Sequence, residues 1–257
     1  MIDLERLNDK AAGIAAYIEY DDIPINKNEV LRYSGISATA IAGMNSGKND
    51  MIEALIKRCE ACGKNCEFSF DPEAISKAHC PDDADYEGID RLYEETAGLL
   101  REKLTYRLVY RQIRLDADES DLSVLEYFRS SKKLMKNLSG CKEAVIFAAT
   151  IGAGIDMLIR RYERVEPARG LMLQAFGAER VESLCDRFND EINEAAKKAG
   201  LNTRPRYSPG YGDLKLEVQP LMLELLNAEK RLGITLNESL LMTPSKSVTA
   251  IIGIERP

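Results

Sequence analysis

The run Ala144-Val145-Ile146-Phe147-Ala148 constrains this chain more than any other segment. Five apolar residues without alternation describe a strand covered on both faces, and such a strand belongs in the middle of a sheet with further layers above and below it. A second strand is expected over 105–115, where Tyr106, Leu108, Tyr110, Gln112 and Arg114 alternate with Arg107, Val109, Arg111 and Ile113. A third is expected over Ser247–Ile254 near the carboxyl end.

Helical periodicity surrounds these strands. Leu4, Leu7, Ala11, Ala15 and Ile18 fall at three- and four-residue steps, so a helix is expected over residues 2–18. Asn26 is placed to cap a short helix carrying Val30, Leu31 and Tyr33, with Gly35 as its stop. Met51, Leu55, Ile56 and Cys59 predict a helix over 49–61, and Ile89, Leu92, Ala97 and Leu100 another. Pro167 after Glu166 opens a long helix, because proline at the first helical position loses no needed hydrogen bond. Its stripe is Val181, Leu184, Cys185, Phe188, Ile192 and Ala195, and Gly200 ends it. A last helix is expected over 216–232, with Pro220 in its first turn. Helices mixed with separated strands indicate an α+β fold.

At 257 residues and 45% hydrophobic types the chain has material for a core, so disorder is excluded for most of it. Net charge is −7, which argues against nucleic acid or anionic lipid as partner. No apolar run reaches the roughly 18 residues of a membrane span. The opening MIDLERLNDK has no signal-peptide character, so a cytoplasmic location is expected. His79 is the one histidine, leaving a single base for any serine or cysteine triad.

Three clusters carry possible chemistry. Thr150-Ile-Gly-Ala-Gly-Ile-Asp156 sits where a phosphate loop would, but Met157 replaces the third glycine of a dinucleotide fingerprint, and a tight strand-to-helix turn is the better reading. Cys59, Cys62, Cys66 and Cys80 lie within 22 residues. In a reducing compartment that clustering points to zinc or an iron–sulfur cluster rather than disulfides, although Cys59 also fits the buried face of its helix. Arg206-Tyr-Ser-Pro-Gly-Tyr-Gly-Asp213 is a turn-rich segment in which an arginine fork, close-approaching backbone and flat tyrosine faces suit a small zwitterion.

The last segment also carries a family resemblance. Arg206-x-x-Pro209-Gly210-Tyr211, then Leu225-Leu-Asn-Ala-Glu-Lys230, Gly233-Ile-Thr-Leu-Asn-Glu-Ser239, Met242-x-Pro244 and Ser247-Val248, resembles the activation domain of cobalamin-dependent methionine synthase. Ser139–Gly152 matches that family's strand and turn, so the likeness spans roughly 100–255, with a fainter match at 23–36.

The resemblance implies an activation-domain-like fold with a central, mostly antiparallel sheet flanked by helices, forming one unit over 1–257. Residues 37–86, with the cysteine set, are an excursion beyond the family pattern. It further implies S-adenosylmethionine binding, in support of reductive remethylation of cob(II)alamin carried by a partner. That partner is a cobalamin-binding methionine synthase or related corrinoid protein, met by this chain as a free-standing subunit, with an electron donor such as flavodoxin or ferredoxin. By the same resemblance Arg206 holds the methionine carboxylate, the backbone at Ser208 and Gly210 contacts the ligand, and Tyr211 lines the site near the corrin. No side-chain acid or base is called for. An aspartate near the family's amino end and a tyrosine in its carboxyl extension have no clear counterparts.

Glu182, Asp186 and Asp190 form a column at four-residue spacing. With Arg180 and Arg187 beside it, a solvated face is expected, and Glu182 is the candidate to face the sulfonium or amine. The cysteine set, if it holds a cluster, would provide an electron route. Two other readings stand beside this one: a metal or iron–sulfur protein for electron transfer or sensing, and a corrinoid-protein interaction module that binds no methyl donor.

Overall fold

A computed structural model describes residues 15–35, 86–116 and 123–255. The chain divides into two compact units. One comprises Met1–Ile23, Thr105–Ala153 and Val181–Pro257, the other Pro24–Leu104 and Gly154–Arg180.

The first unit is built on an antiparallel sheet. Its strands are β1 (Ala16–Tyr20), β2 (Tyr106–Arg114), β3 (Cys141–Thr150), β4 (Asn202–Thr203) and β7 (Ser247–Glu255), in the order β1-β2-β3-β7-β4. β3 is the middle strand, and Ala144 to Ala149 are fully buried, as the uninterrupted apolar run requires. Ile146 lies opposite Ile251 of β7, and Phe147 opposite Tyr110 of β2.

Alternation sends neighbouring side chains of β3 to different layers. Ala144, Ile146 and Ala148 join a core with Val109, Ile251, Met222, Leu226 and Leu232. Phe147 meets Phe188, with ring centroids 5.1 Å apart, and Tyr110 stands 5.2 Å from the same ring. The first of these layers contains the short helices α3 (Val124–Ser130) and α4 (Lys132–Asn137) and the pair α7 (Gln219–Leu226) and α8 (Ala228–Leu232). The other comes from the second half of the long helix α6 (Pro167–Lys198). A two-stranded ladder, β5 (Thr235–Leu236) with β6 (Met242–Thr243), follows α8.

The second unit holds α1 (Lys27–Tyr33), α2 (Tyr86–Leu100), α5 (Gly154–Val165) and the first half of α6. The Asn26 side chain accepts from the Glu29 N–H and caps α1. Phe176 packs on Tyr93 at 4.9 Å. Gly154 opens α5 against the Lys103 carbonyl, where a Cβ would collide, so the glycines of this turn serve a tight strand-to-helix junction, as expected.

Several expectations are corrected. Residues 16–20 form strand β1 rather than the end of a helix, because pairing with Tyr106–Tyr110 of β2 satisfies their backbone. The helix expected over 216–232 is a 3-10 turn followed by two helices, broken at Asn227 in the left-handed conformation with φ 50°. Arg180 belongs to no solvated face. It is fully buried, paired with buried Glu179 and donating to the Pro24 carbonyl at 2.7 Å. The expected helix at 49–61 and the cysteine-bearing excursion lie outside the described residues. No helix among the described residues is long and apolar enough to cross a membrane.

Candidate functional site

The segment 204–213 continues from β4 along the side of β7 away from β3. Tyr207 and Ile251 exchange both backbone hydrogen bonds at 2.8 Å, and the Arg204 N–H donates to the Gly253 carbonyl at 2.9 Å. This edge pairing fixes the backbone on either side of Arg206 and directs its side chain toward α6. There Nη1 donates to Asp186 at 2.6 Å, and Nη2 donates to Glu182. Glu182 and Asp186 are one helical turn apart on one face, so both reach the same guanidinium. Two of the five donors of Arg206 are engaged in this way.

Beyond Tyr207 the chain folds into a compact turn. Tyr211 N–H donates to the Ser208 carbonyl at 3.2 Å, Leu214 N–H to the Tyr211 carbonyl at 3.1 Å, and Gly210 N–H to the Leu214 carbonyl at 2.8 Å. The Tyr207 hydroxyl donates to the Tyr211 carbonyl at 3.1 Å. Gly210 and Gly212 have φ of 87° and 61°, which glycine adopts without strain. At Gly212 a Cβ would also press on the Tyr207 hydroxyl and on Lys133 Cδ, the latter at 2.7 Å.

The far end of the turn is fastened by Asp213. Its carboxylate accepts from the Ser131 hydroxyl and from the backbone N–H groups of Lys132 at 2.9 Å and Lys133 at 3.2 Å, at the start of α4. These bonds, led by that from Ser131, hold the Asp213 carboxyl below its ordinary value. Between the two anchors Ser208 and Pro209 are half-buried, while Gly210 and Tyr211 are exposed, Tyr211 by 71%.

Of the residues singled out by sequence, Arg206, Ser208, Gly210 and Tyr211 therefore share one pinned turn, and Glu182 stands at its base. Glu182 faces the Arg206 guanidinium itself. Asp186 shares that role, although the sequence pattern offered it mainly as part of a solvated face. Asp213 and Ser131 carried no sequence signal of a joint role, since they lie 82 residues apart. Arg187 is matched by Glu191 at 2.9 Å on the same helix.

Cys59, Cys62, Cys66 and Cys80, with His79, lie outside the described residues. Among the described residues no group of three or more histidine, cysteine, aspartate or glutamate side chains is placed to hold a metal ion. Cys185 is buried under the site, and burial pushes its thiol well above the ordinary value, so it is an apolar packing group rather than a thiolate.

A single chain in which α-helices cover both faces of an antiparallel sheet, with an arginine-based turn paired to strand β7, has an α+β fold. Residues 90–256, well over half of the chain, match the family described as the vitamin B12-dependent methionine synthase, activation domain, and the protein belongs to that family. Among solved structures, a crystal structure of the MetH reactivation domain bound to AdoHcy is similar at 14% identity and a TM-score of 0.49, covering 93% of this chain and 78% of that one. No curated protein sequence matches significantly.

Proposed function

We infer that the chain binds S-adenosylmethionine at the 206–211 turn and presents it to a cobalamin-carrying partner, supporting reductive remethylation of cob(II)alamin during methionine synthesis. The observation that carries this reading is the Arg206 fork, fixed at the base of a turn pinned at both ends, in a member of the activation-domain family.

The residues present fit such a ligand. An α-amino acid end brings a carboxylate and an ammonium together. Arg206 retains donors for the carboxylate, while Glu182 and Asp186 offer partners for the ammonium. The side-chain-free Gly210 suits close approach by a flat nucleoside, and exposed Tyr211 offers it an aromatic face. When bound, the ligand supplies an electrophilic methyl group on sulfur. The chain's own work is to orient that group toward a partner's metal, which turns an encounter among separate molecules into a positioned one. No described residue is required to donate or remove a proton in that task.

Isothermal titration tests the reading. Wild type is expected to bind S-adenosylmethionine, and Arg206→Ala to weaken binding about tenfold or more, the usual loss for a charge-assisted hydrogen-bonded pair. Absence of binding by wild type in the millimolar range, or unchanged binding by Arg206→Ala, overturns it.

A further inference from the structure

We propose that Glu182 and Asp186 make the Arg206 site select for a ligand of net positive charge, so that the chain favours the sulfonium methyl donor over its neutral, demethylated product. The inference rests on the S-adenosylmethionine reading above and adds a basis for discrimination at the same site.

One carboxylate is enough to orient a guanidinium, yet Arg206 has two, Asp186 on Nη1 at 2.6 Å and Glu182 on Nη2. One positive charge between two negative ones leaves the cluster with one net negative charge. Nearby Arg187 does not cancel that surplus, because its guanidinium is already matched by Glu191 at 2.9 Å. The amino-acid end of either ligand is a zwitterion without net charge. What differs is the sulfur. The sulfonium carries a positive charge, and when the methyl group leaves, the electron pair of the C–S bond stays on sulfur and a neutral thioether remains.

That sulfur lies two carbons from the α-carbon, so a ligand whose zwitterion docks on Arg206, Glu182 and Asp186 holds it within the roughly 8–10 Å over which charges interact in dilute salt. The surplus carboxylate therefore attracts the donor and is indifferent to the product. Asp186 is 69% exposed, against 40% for Glu182. The effect is accordingly moderate, on the order of three- to tenfold, and sensitive to ionic strength.

The exposure of Asp186 also makes Asp186→Asn a substitution that leaves the core untouched. Titration of S-adenosylmethionine and of S-adenosylhomocysteine into wild type and Asp186→Asn, each at low and at high salt, tests the proposal. Wild type is expected to prefer the sulfonium, and the preference to fall by about three- to tenfold in Asp186→Asn through weaker donor binding, with Glu182→Gln shifting in the same direction. High salt is expected to narrow the wild-type preference. Equal binding of the two ligands by wild type, or a preference unchanged in both variants, overturns the charge argument while the site reading survives. Failure of wild type to bind either ligand overturns the site reading, and this inference with it.

Discussion

Asp213 shows how one exposed side chain organises the turn that follows Arg206. Ser131 already caps α4, its hydroxyl oxygen accepting from the Leu134 N–H at 3.1 Å. Asp213 completes that cap from 82 residues away by accepting from the same hydroxyl and from the next two backbone N–H groups. The carboxylate form is the one that accepts all of these bonds, so its folded-state pKa lies below the ordinary 3.8. A depressed carboxyl pKa contributes stability that is present above the unfolded value and is lost as the pH falls through the folded one. The melting temperature of Asp213→Asn should therefore lie below that of wild type near neutral pH, and the gap should close below 3.8. A gap that stays constant across the acid range would show that the carboxylate charge is not what holds the turn. If the turn orients S-adenosylmethionine as proposed, the same variant is expected to weaken its binding about three- to tenfold, because the turn loses one of its two anchors.

Among the elements, α6 carries the carboxylates of the site, and its contact with β3 centres on Phe188. This ring is fully buried between Tyr110 and Phe147, on the same half of α6 that carries Glu182 and Asp186. Phe188→Ala is expected to destabilise the protein by about 3–5 kcal/mol, readable as a lower denaturation midpoint with little change in slope. The buried face of α6 was legible in the sequence because its apolar stripe repeats over many turns. β3 was legible because its apolar run is too long for a half-exposed strand. Asn26 and Pro167 marked helix starts through local chemistry alone. Other elements lacked such signals. Ile18 fits a helical step from Ala15 and equally the alternation of Ala16 to Tyr20, and a partner strand about 90 residues away decides between them. α3 and α4, of seven and six residues, are too short to display a period, and β4, β5 and β6, of two residues each, shorter still. Asn227 breaks a stretch whose apolar spacing alone reads as one continuous helix.

At the scale of the whole molecule, neither unit is a continuous stretch of chain, since the boundaries fall after residues 23, 104, 153 and 180. Candidate site residues were legible in the sequence where they are neighbours, as in the 206–211 turn. Glu182 and Asp186 were visible as an acidic column, but their pairing with Arg206, and that of Asp213 with the start of α4, were not, because strand pairing and helix return bring them together. The same long-range dependence extends to the edges of the sheet. β4, at one edge, has two residues and offers little to a passing strand. At the other edge, β1 covers Tyr106–Tyr110 of β2, a nine-residue strand whose outer backbone groups would otherwise be open to another chain. A protein beginning at residue 23 should therefore show an apparent mass in light scattering that rises with concentration, unlike the full chain under the same conditions. A concentration-independent mass equal to one truncated chain would instead show that the edge is guarded by its own charges, with Arg107 and Arg111 placed within β2 to do so.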